Sequence, residues 1–448
     1  AGTTPSVSLT ASGDTFHSGA PLTLTAELSS PASDDLSVAV EGGSDGLTIA
    51  IPKGEKSGTL SLTTGKYKKI VTETYSVAPG TGYTAGNPSS VEVTVLPVPE
   101  LEFNAQYYTA LPGKDLTVKM KCKNASLLTI PVEATLRLPS GEVLERFEFS
   151  SQNNSARYQF TLPEEIEPPY YLYLYNEASK EIARQIPLKV ENEERKRGIY
   201  SVDTEEKKIA ISFDCGFANK YTEYILDTLD EYNIKCTFFV TGVFVSDYSD
   251  MLKEIHDRGH EIGNHTMNHL SLVKITEEDV YNEVKRVNDK VYKKLGVRPT
   301  VMRPPYGSTT PNVNNLVRMA GCEVVLWSHD SVDWDPKRST DEIIKRATKN
   351  IHNGSIVLFH NSAPKTKKTL RVILDKYKEM GYEIVPVSEL LYHSHYTIDS
   401  NGVQHLKPDY QQITPSELMN GYSPRINVSG ASGKGEEPVS LALAAAYS

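Results

Sequence analysis

Two histidines in the stretch GHEIGNHTMNH have the spacing of a metal-binding pair. His265 and His269 are four residues apart. In a helical turn their imidazoles would share one face, within reach of a single cation. The spacing alone also fits two unrelated surface histidines, so both interpretations stay open. The preceding Gly263 and Asn264 favour a functional pair.

Two more titratable residues each end a short apolar run. Asp214 follows the run Ile209 to Phe213 in SFDCGF, and His360 ends IVLFH. Each has a structural alternative, because aspartate near glycine commonly makes a turn and a histidine can cap its strand by a hydrogen bond. Either signal is weak by itself.

Two further clusters add rigid backbone, acids and aromatic surface. In RPPYG, Arg303 precedes two prolines, which fix a backbone that can aim an amide N–H at a developing oxyanion. The alternative is a simple Pro-Gly turn. WSHDSVDWD brings Asp330, Asp333 and Trp334 together, a density of acids and aromatic surface that glycan sites often use.

The elements that must position these clusters alternate between strand and helix. After ENEERKRG the apolar runs KKIAISF, KCTFFVTG, PTVMR, EVVLWS, SIVLFH and EIVPV are separated by segments with helical spacing. Helices are predicted near 247–258, 276–295, 311–320, 340–352 and 365–380. Repeated βα units predict a parallel sheet, and this many units favour a closed or nearly closed (β/α) barrel over residues 198–392. The five clusters would then meet at the carboxyl ends of its strands.

The chain before this region has a different pattern. Short Val, Leu, Thr and Ile runs alternate with Ser, Gly and Asp turns, which predicts one β-sandwich over residues 1–98 and a second over 99–192, joined by LPVPE. The spacing of turns resembles that of Ig-like and Calx-beta-like modules, and carries no chemistry. Beyond Tyr392 we expect an irregular C-terminal tail over 393–448.

Composition narrows the class of protein. The net charge is −10 and no segment is densely basic, so a nucleic-acid partner is not indicated. No apolar run approaches the roughly 20 residues of a membrane-spanning helix.

No positively charged segment followed by an apolar segment, the pattern of a secretion leader, precedes Ala1. The protein is therefore either cytosolic or its leader was removed. The domain pattern favours removal, which predicts a secreted or cell-surface protein. The four cysteines form no CxxC pair, which argues against a disulfide framework or a four-thiolate zinc site.

The motif order SFDxG, HxxxH, RPPYG, DxxDW and LxH resembles that of the polysaccharide deacetylase family, also called NodB-type carbohydrate esterases. The resemblance covers about residues 200–392. The shared sequence segments TFFVTG, GNH and VDW make the chain look most similar to the members that act on muramic acid residues of peptidoglycan.

The resemblance implies a distorted (β/α) barrel and a divalent metal, usually zinc, with His265 and His269 as its two histidine ligands. The metal would bind water and the acetyl oxygen. The resemblance also implies a role for each of these residues: Asp214 as base, Arg303 as the group that orients that carboxylate, His360 as acid, Asp333 as its tuning partner, the Tyr306 N–H in an oxyanion site and Trp334 in the groove wall.

One position departs from the family pattern. Most members have two adjacent aspartates, whereas here Cys215 follows Asp214. Three outcomes are open: the Cys215 thiolate binds zinc, water replaces the carboxylate ligand, or catalysis is lost.

We therefore expect metal-dependent hydrolysis of acetyl groups on a cell-wall polysaccharide, foremost the N-acetyl groups of peptidoglycan. A chitin-like or hemicellulose substrate is the alternative within the class. A catalytically impaired glycan-binding protein is the alternative outside it. The sugar, the metal, the partners of the sandwiches and the oligomeric state stay open.

Overall fold

A computed structural model describes residues 4–43, 46–408 and 410 of the chain. Its contacts divide the chain into two compact units. The first comprises residues 1–106, 117–160 and 172–186, and the second comprises 107–116, 161–171 and 187–448.

Strands make up the regular structure up to residue 96. They are β1 (Ser6–Ala11), β2 (Thr15–His17), β3 (Pro21–Leu28), β4 (Leu36–Glu41), β5 (Leu47–Ile51), β6 (Ser57–Thr63), β7 (Val71–Val77), β8 (Thr84–Ala85) and β9 (Ser90–Leu96). They form a four-stranded sheet in the order β6-β3-β1-β8 and a five-stranded sheet in the order β2-β9-β7-β4-β5. Leu9 and Leu24 of the first sheet share one apolar cluster with Val38 and Ile49 of the second. The region is strand-rich with several sheets; its Ig-like or Calx-beta-like character stays a prediction.

The next eight strands continue this pattern. They are β10 (Leu101–Phe103), β11 (Tyr108–Ala110), β12 (Asp115–Cys122), β13 (Val132–Arg137), β14 (Val143–Phe149), β15 (Ser155–Thr161), β16 (Tyr171–Asn176) and β17 (Glu181–Val190). In the first unit β12 pairs with β10, and β13 pairs with both β14 and β16, all antiparallel. Among the described residues before 190 the only helical segment is a 3-10 turn, Ala125–Leu127. The division at residues 98 and 192 stays a prediction.

Beyond residue 190 strands and helices alternate, as predicted. The strands are β18 (Ser201–Val202), β19 (Lys208–Cys215), β20 (Thr237–Val240), β21 (Glu261–Asn264), β22 (Val301–Met302), β23 (Glu323–Val324), β24 (His329–Asp330), β25 (Ile356–His360), β26 (Glu383–Val385), β27 (Tyr396–Ile398) and β28 (Val403–Leu406). The helices are α1 (Thr222–Glu231), α2 (Gly242–Asp247), α3 (Ser249–Asp257), α4 (Glu277–Leu295), α5 (Pro311–Met319), α6 (Thr340–Thr348), α7 (Thr366–Glu379) and α8 (Val387–Leu390). Short 3-10 turns span Glu193–Arg195, Leu272–Lys274 and Pro305–Gly307.

The central sheet of the second unit is parallel. Its strand order is β23-β22-β21-β20-β19-β25-β24, and β26 also pairs with β19. The sheet is that of a distorted (β/α) barrel. The run EVVLWS, predicted as one strand, supplies only the short strand β23; β24 follows directly after the run, and the two strands lie at opposite ends of this order.

Helix boundaries follow local sequence signals. The Thr276 side chain accepts a hydrogen bond from the Asp279 N–H at the start of α4, and Gly296 ends that helix with a left-handed φ of 74°. Ser339 and Glu342 form a reciprocal capping box at the start of α6. These signals agree with the predicted span 276–295 for α4 and with the predicted start of α6 at 340, whereas α6 ends at Thr348, before the predicted 352.

The predicted irregular tail is wrong for its first part. Strands β27 and β28 form an antiparallel hairpin, and β28 pairs with β18. The strands are too short for a periodic sequence signal, but Tyr396 and Ile398 are both buried. The rest of the predicted tail, from 411 onwards, lies outside the described residues. No helix within the described residues is long and apolar enough to cross a membrane.

Candidate active site

Asp214 and His360 lie side by side at the carboxyl edge of the sheet. Each is at or next to the end of its strand, and they are paired in register between β19 and β25. Because side chains alternate along a strand, residues in register on neighbouring strands project to the same face. The parallel sheet thus brings together two residues that are far apart in the sequence.

A buried arginine holds the Asp214 carboxylate. The Arg303 Nη1 donates to Asp214 Oδ1 at 2.9 Å and to the Ser212 hydroxyl at 2.8 Å, while Nη2 donates to the Leu326 carbonyl at 2.9 Å. Arg303 is fully buried. Burial opposes ionisation of Asp214, but its electrostatic interactions with His265, Arg303 and His360, together with the hydrogen bond from Arg303, outweigh burial and hold the pKa of this carboxyl below its ordinary value. Asp214 is therefore a charged acceptor at neutral pH.

His265 is oriented by a backbone carbonyl. Its Nδ1 lies 2.7 Å from the Arg303 carbonyl oxygen, which can only accept, so Nδ1 carries the proton and Nε2 keeps a lone pair. Nε2 faces Asp214, with 3.6 Å to Oδ2. Burial lowers the pKa of His265 to about 4, so the ring is neutral at pH 7. Histidines that bind metals are commonly oriented in this way.

His269 reaches the same place through a loop and not through the expected helical turn. Thr266 and His269 have left-handed φ values of 68° and 58°, which a helix does not allow. The Thr266 hydroxyl accepts from the His269 N–H at 3.1 Å. The two histidine rings lie 4.9 Å apart between centroids, and the Tyr306 hydroxyl lies 3.3 Å from His269 Nδ1. Burial also lowers the pKa of His269.

The donor set fits a divalent cation only in part. Two neutral imidazoles beside the Asp214 carboxylate are suitable donors. Within the described residues, however, no group of three or more His, Cys, Asp or Glu side chains has an arrangement able to hold a metal ion.

Cys215 does not complete this set. It lies in the apolar cluster that contains Phe213 and Phe238, with no exposed surface. Adjacent residues of a strand project to opposite faces, and β19 directs Asp214 to the site and Cys215 to the core. Burial raises the pKa of its thiol well above the ordinary value. The geometry gives no support to the predicted ligand role. All four cysteines are free and buried.

A second ion pair lies at the end of β25. Asp333 Oδ1 accepts from His360 Nδ1 at 2.8 Å, and Oδ2 accepts from the His360 backbone N–H at 3.0 Å. Burial favours the neutral imidazole, but the hydrogen bond and charge of Asp333, with the charges of Asp214 and Asp330, raise the pKa of His360. His360 is thus a proton donor that stays charged to a higher pH than an ordinary histidine.

Exposed aromatic residues surround these polar groups. Tyr306, with a left-handed φ of 62°, is 70% exposed and Trp334 is 57% exposed. The sequence analysis missed Phe217, which is 57% exposed and places its ring 5.7 Å from that of His269. The available signal was a large apolar residue directly after the glycine of SFDCGF, where a turn leaves it outside the core.

Comparison with known proteins matches the region that carries this site to one family. The polysaccharide deacetylase family profile matches residues 201–325. The peptidoglycan-N-acetylglucosamine deacetylase of Bacillus cereus is 37% identical over 201 residues, which cover 44% of this chain and 93% of that protein. The chain belongs to the polysaccharide deacetylase family.

Two other relatives are similar over the same region. The peptidoglycan-N-acetylmuramic acid deacetylase PdaA of Bacillus subtilis is 34% identical, with 44% of this chain and 77% of that protein covered. The peptidoglycan-N-acetylglucosamine deacetylase PgdA of Listeria monocytogenes is 35% identical over 41% of this chain. The match spans 39% of the length of that Listeria protein.

Proposed function

We propose that this protein hydrolyses acetamido groups of a cell-wall glycan, with peptidoglycan as the substrate. The observation that carries this proposal is a pair of buried carboxylates, Asp214 and Asp333. The first is itself held ionised, and the second stabilises a protonated histidine. Asp214 is held charged by Arg303, and Asp333 keeps His360 protonated. Environments that push the pKa values of neighbouring titratable groups apart in this way are typical of an acid and a base that act together.

His265 and His269 would hold a divalent metal, with zinc suited to imidazole ligands. When bound, the metal would supply an activated water and polarise the acetyl carbonyl. The proposed metal site rests on these two histidines, and the neighbouring Asp214 is left for the role of the base.

Asp214 would act as the base. Its carboxylate takes a proton from the attacking water as the new C–O bond forms, and Arg303 keeps it oriented and ionised. Ser212 and the Leu326 carbonyl fix the guanidinium from behind. The backbone N–H of Tyr306 would stabilise the negative oxygen of the tetrahedral intermediate.

His360 would act as the acid. Its Nε2–H protonates the leaving nitrogen as the C–N bond breaks, which releases acetate and a free amine. Asp333 stabilises the imidazolium before transfer and accepts from Nδ1 throughout. Trp334 would form one wall of the glycan groove.

The relatives support peptidoglycan as the substrate, since all three are named as peptidoglycan deacetylases. Two are named for N-acetylglucosamine and one for N-acetylmuramic acid. We favour muramic acid, because the segments TFFVTG, GNH and VDW make the chain most similar to the members that act on it. The protein would then act outside the cell or at its surface, with the strand-rich N-terminal region as a spacer or wall-binding part.

Acetate release tests the proposal. The purified protein, loaded with zinc, is incubated separately with peptidoglycan, chitin oligosaccharides and acetylated xylan. We expect release from peptidoglycan, and loss of both bound zinc and activity in the His265→Ala/His269→Ala double variant. Release only from chitin or xylan would change the substrate. Glycan binding with no release from any of them would favour the impaired binding protein, which the incomplete donor set makes the second candidate.

A further inference from the structure

Helix α4 contacts the histidine loop at two points, each one residue before a histidine. Asn288 accepts a 2.8 Å hydrogen bond from the Asn264 side chain, next to His265. Glu283 accepts two hydrogen bonds from Asn268, next to His269. One helix thus holds both ends of the loop.

Glu283 is an unusual residue for a merely structural position. It is only 5% exposed. Within the part of the chain that the structure describes, no Lys, Arg or His side chain lies within ion-pair distance of it. The hydrogen bonds recorded for its carboxylate come from the Asn268 backbone N–H at 2.8 Å and from the Asn268 Nδ2 at 2.5 Å. A buried carboxylate without a cation beside it lowers the stability of the fold, and an apolar residue at this position of the helix would be more stabilising.

The loop that it holds has a backbone that does not form easily. Thr266 and His269 both have positive φ values, a backbone conformation that residues other than glycine rarely adopt. Such residues persist where surrounding contacts fix them. Asn264 Oδ1 accepts from the Thr266 N–H at 2.8 Å and fixes the first half of the loop. The Glu283 contact fixes the residue directly before His269.

We propose that Glu283 is a positioning residue for the two histidines and places a negative charge behind the cation that they hold. The part of this inference that concerns a metal rests on the proposed function. The carboxylate sets the backbone at Asn268, and that backbone sets the direction of the His269 ring toward His265. The negative charge also favours a cation over an empty site.

The test is Glu283→Gln, which keeps the shape, removes the charge and replaces one acceptor by a donor. The matched control is Glu278→Gln, the same change at an exposed position of the same helix. Zinc affinity is measured by competition with a chromophoric chelator. Hydrogen exchange of the amides of residues 264–269 is measured in the zinc-free protein. We expect zinc affinity to fall about 10- to 100-fold in Glu283→Gln, with faster exchange at Asn268 and His269, and no change in the control.

A second variant keeps the test decisive if Glu283→Gln folds poorly. Asn268→Ala removes one of the two donors from an exposed residue and should reproduce part of both effects. The double variant Glu283→Gln/Asn268→Ala should lose little more zinc affinity than Glu283→Gln alone, because the two residues form one contact. Unchanged zinc affinity in folded Glu283→Gln would overturn the inference, whether or not exchange changes. If the parent protein binds no zinc, the metal of the proposed function is wrong, and faster exchange at His269 would still support the positioning role.

Discussion

At the scale of single residues, the site depends on charge states set by neighbours. Asp214 is buried yet ionised, because its electrostatic interactions with His265, Arg303 and His360 and the hydrogen bond from Arg303 outweigh the effect of burial on its pKa. The same burial keeps His265 neutral and able to offer a lone pair. The residue types alone do not specify these states, since an isolated aspartate or histidine would titrate near its ordinary pKa.

Replacing the base gives the first prediction. Asp214→Asn keeps the size of the side chain and removes its ability to take a proton, so acetate release should fall on the order of 100-fold or more. Circular dichroism should show a folded protein. Near-normal turnover in this variant would mean that the base is another residue.

The pH dependence of the reaction gives the second prediction. The proposed acid, His360, can donate only when it is protonated, so we expect activity to be present below the pKa of His360 and to be lost as the pH rises through it. Burial lowers this pKa and Asp333 raises it, with a net upward shift. Asp333→Asn should therefore move the alkaline limb of the kcat/KM profile to lower pH. An alkaline limb that does not move in this variant would assign it to another group.

At the scale of elements, strand β19 separates chemistry from packing. Its alternation directs Ser212 and Asp214 toward Arg303, whereas Phe213 and Cys215 pack in the core. The same strand pairs with β20, β25 and β26. Its position in the middle of the sheet makes it a rigid support for Asp214.

Cys215 provides the prediction for this element. Cys215→Ser buries a hydroxyl in an apolar cluster, and we expect a loss of about 1–3 kcal/mol in the free energy of unfolding with zinc content unchanged. Urea unfolding and metal analysis measure the two quantities. Cys215→Ala serves as the control that removes the sulfur without adding a polar group. Loss of zinc in a well-folded Ser variant would restore the thiolate to the metal site.

At the scale of the whole molecule, the second unit is assembled from three separate segments of the chain. A buried ion pair joins two of them. Arg195 donates to both Glu167 oxygens, at 2.6 and 3.1 Å, and also to the Tyr396 carbonyl at 3.0 Å. The segment before the barrel and the C-terminal hairpin are thus held by one guanidinium.

Breaking this pair should destabilise the second unit. Glu167→Ala removes the nearest carboxylate from Arg195, which is 1% exposed and keeps only Glu165, at 3.8 Å, as a charged partner. We expect a loss of about 3–5 kcal/mol in the free energy of unfolding. Glu231→Ala breaks the exposed pair with Arg371 and should leave this free energy almost unchanged. Urea unfolding followed by tryptophan fluorescence, with Trp327 and Trp334 both in this unit, compares the two. Equal effects would show that the buried pair has no special role.

The features that rest on local patterns could be predicted from the amino-acid sequence. Apolar runs and capping residues such as Thr276 and Ser339 predict the strands and helices of the barrel, because periodicity and capping act within a few residues. Polar clusters at the ends of those runs predict which residues meet, since parallel strands end at one edge. The tertiary structure alone decided how they meet. The left-handed loop of His269 depends on contacts with α4, the face of Cys215 depends on the register of β19, and the hairpin depends on pairing with β18. Each of these is a contact between residues distant in the chain, and such contacts leave no local signal in the sequence.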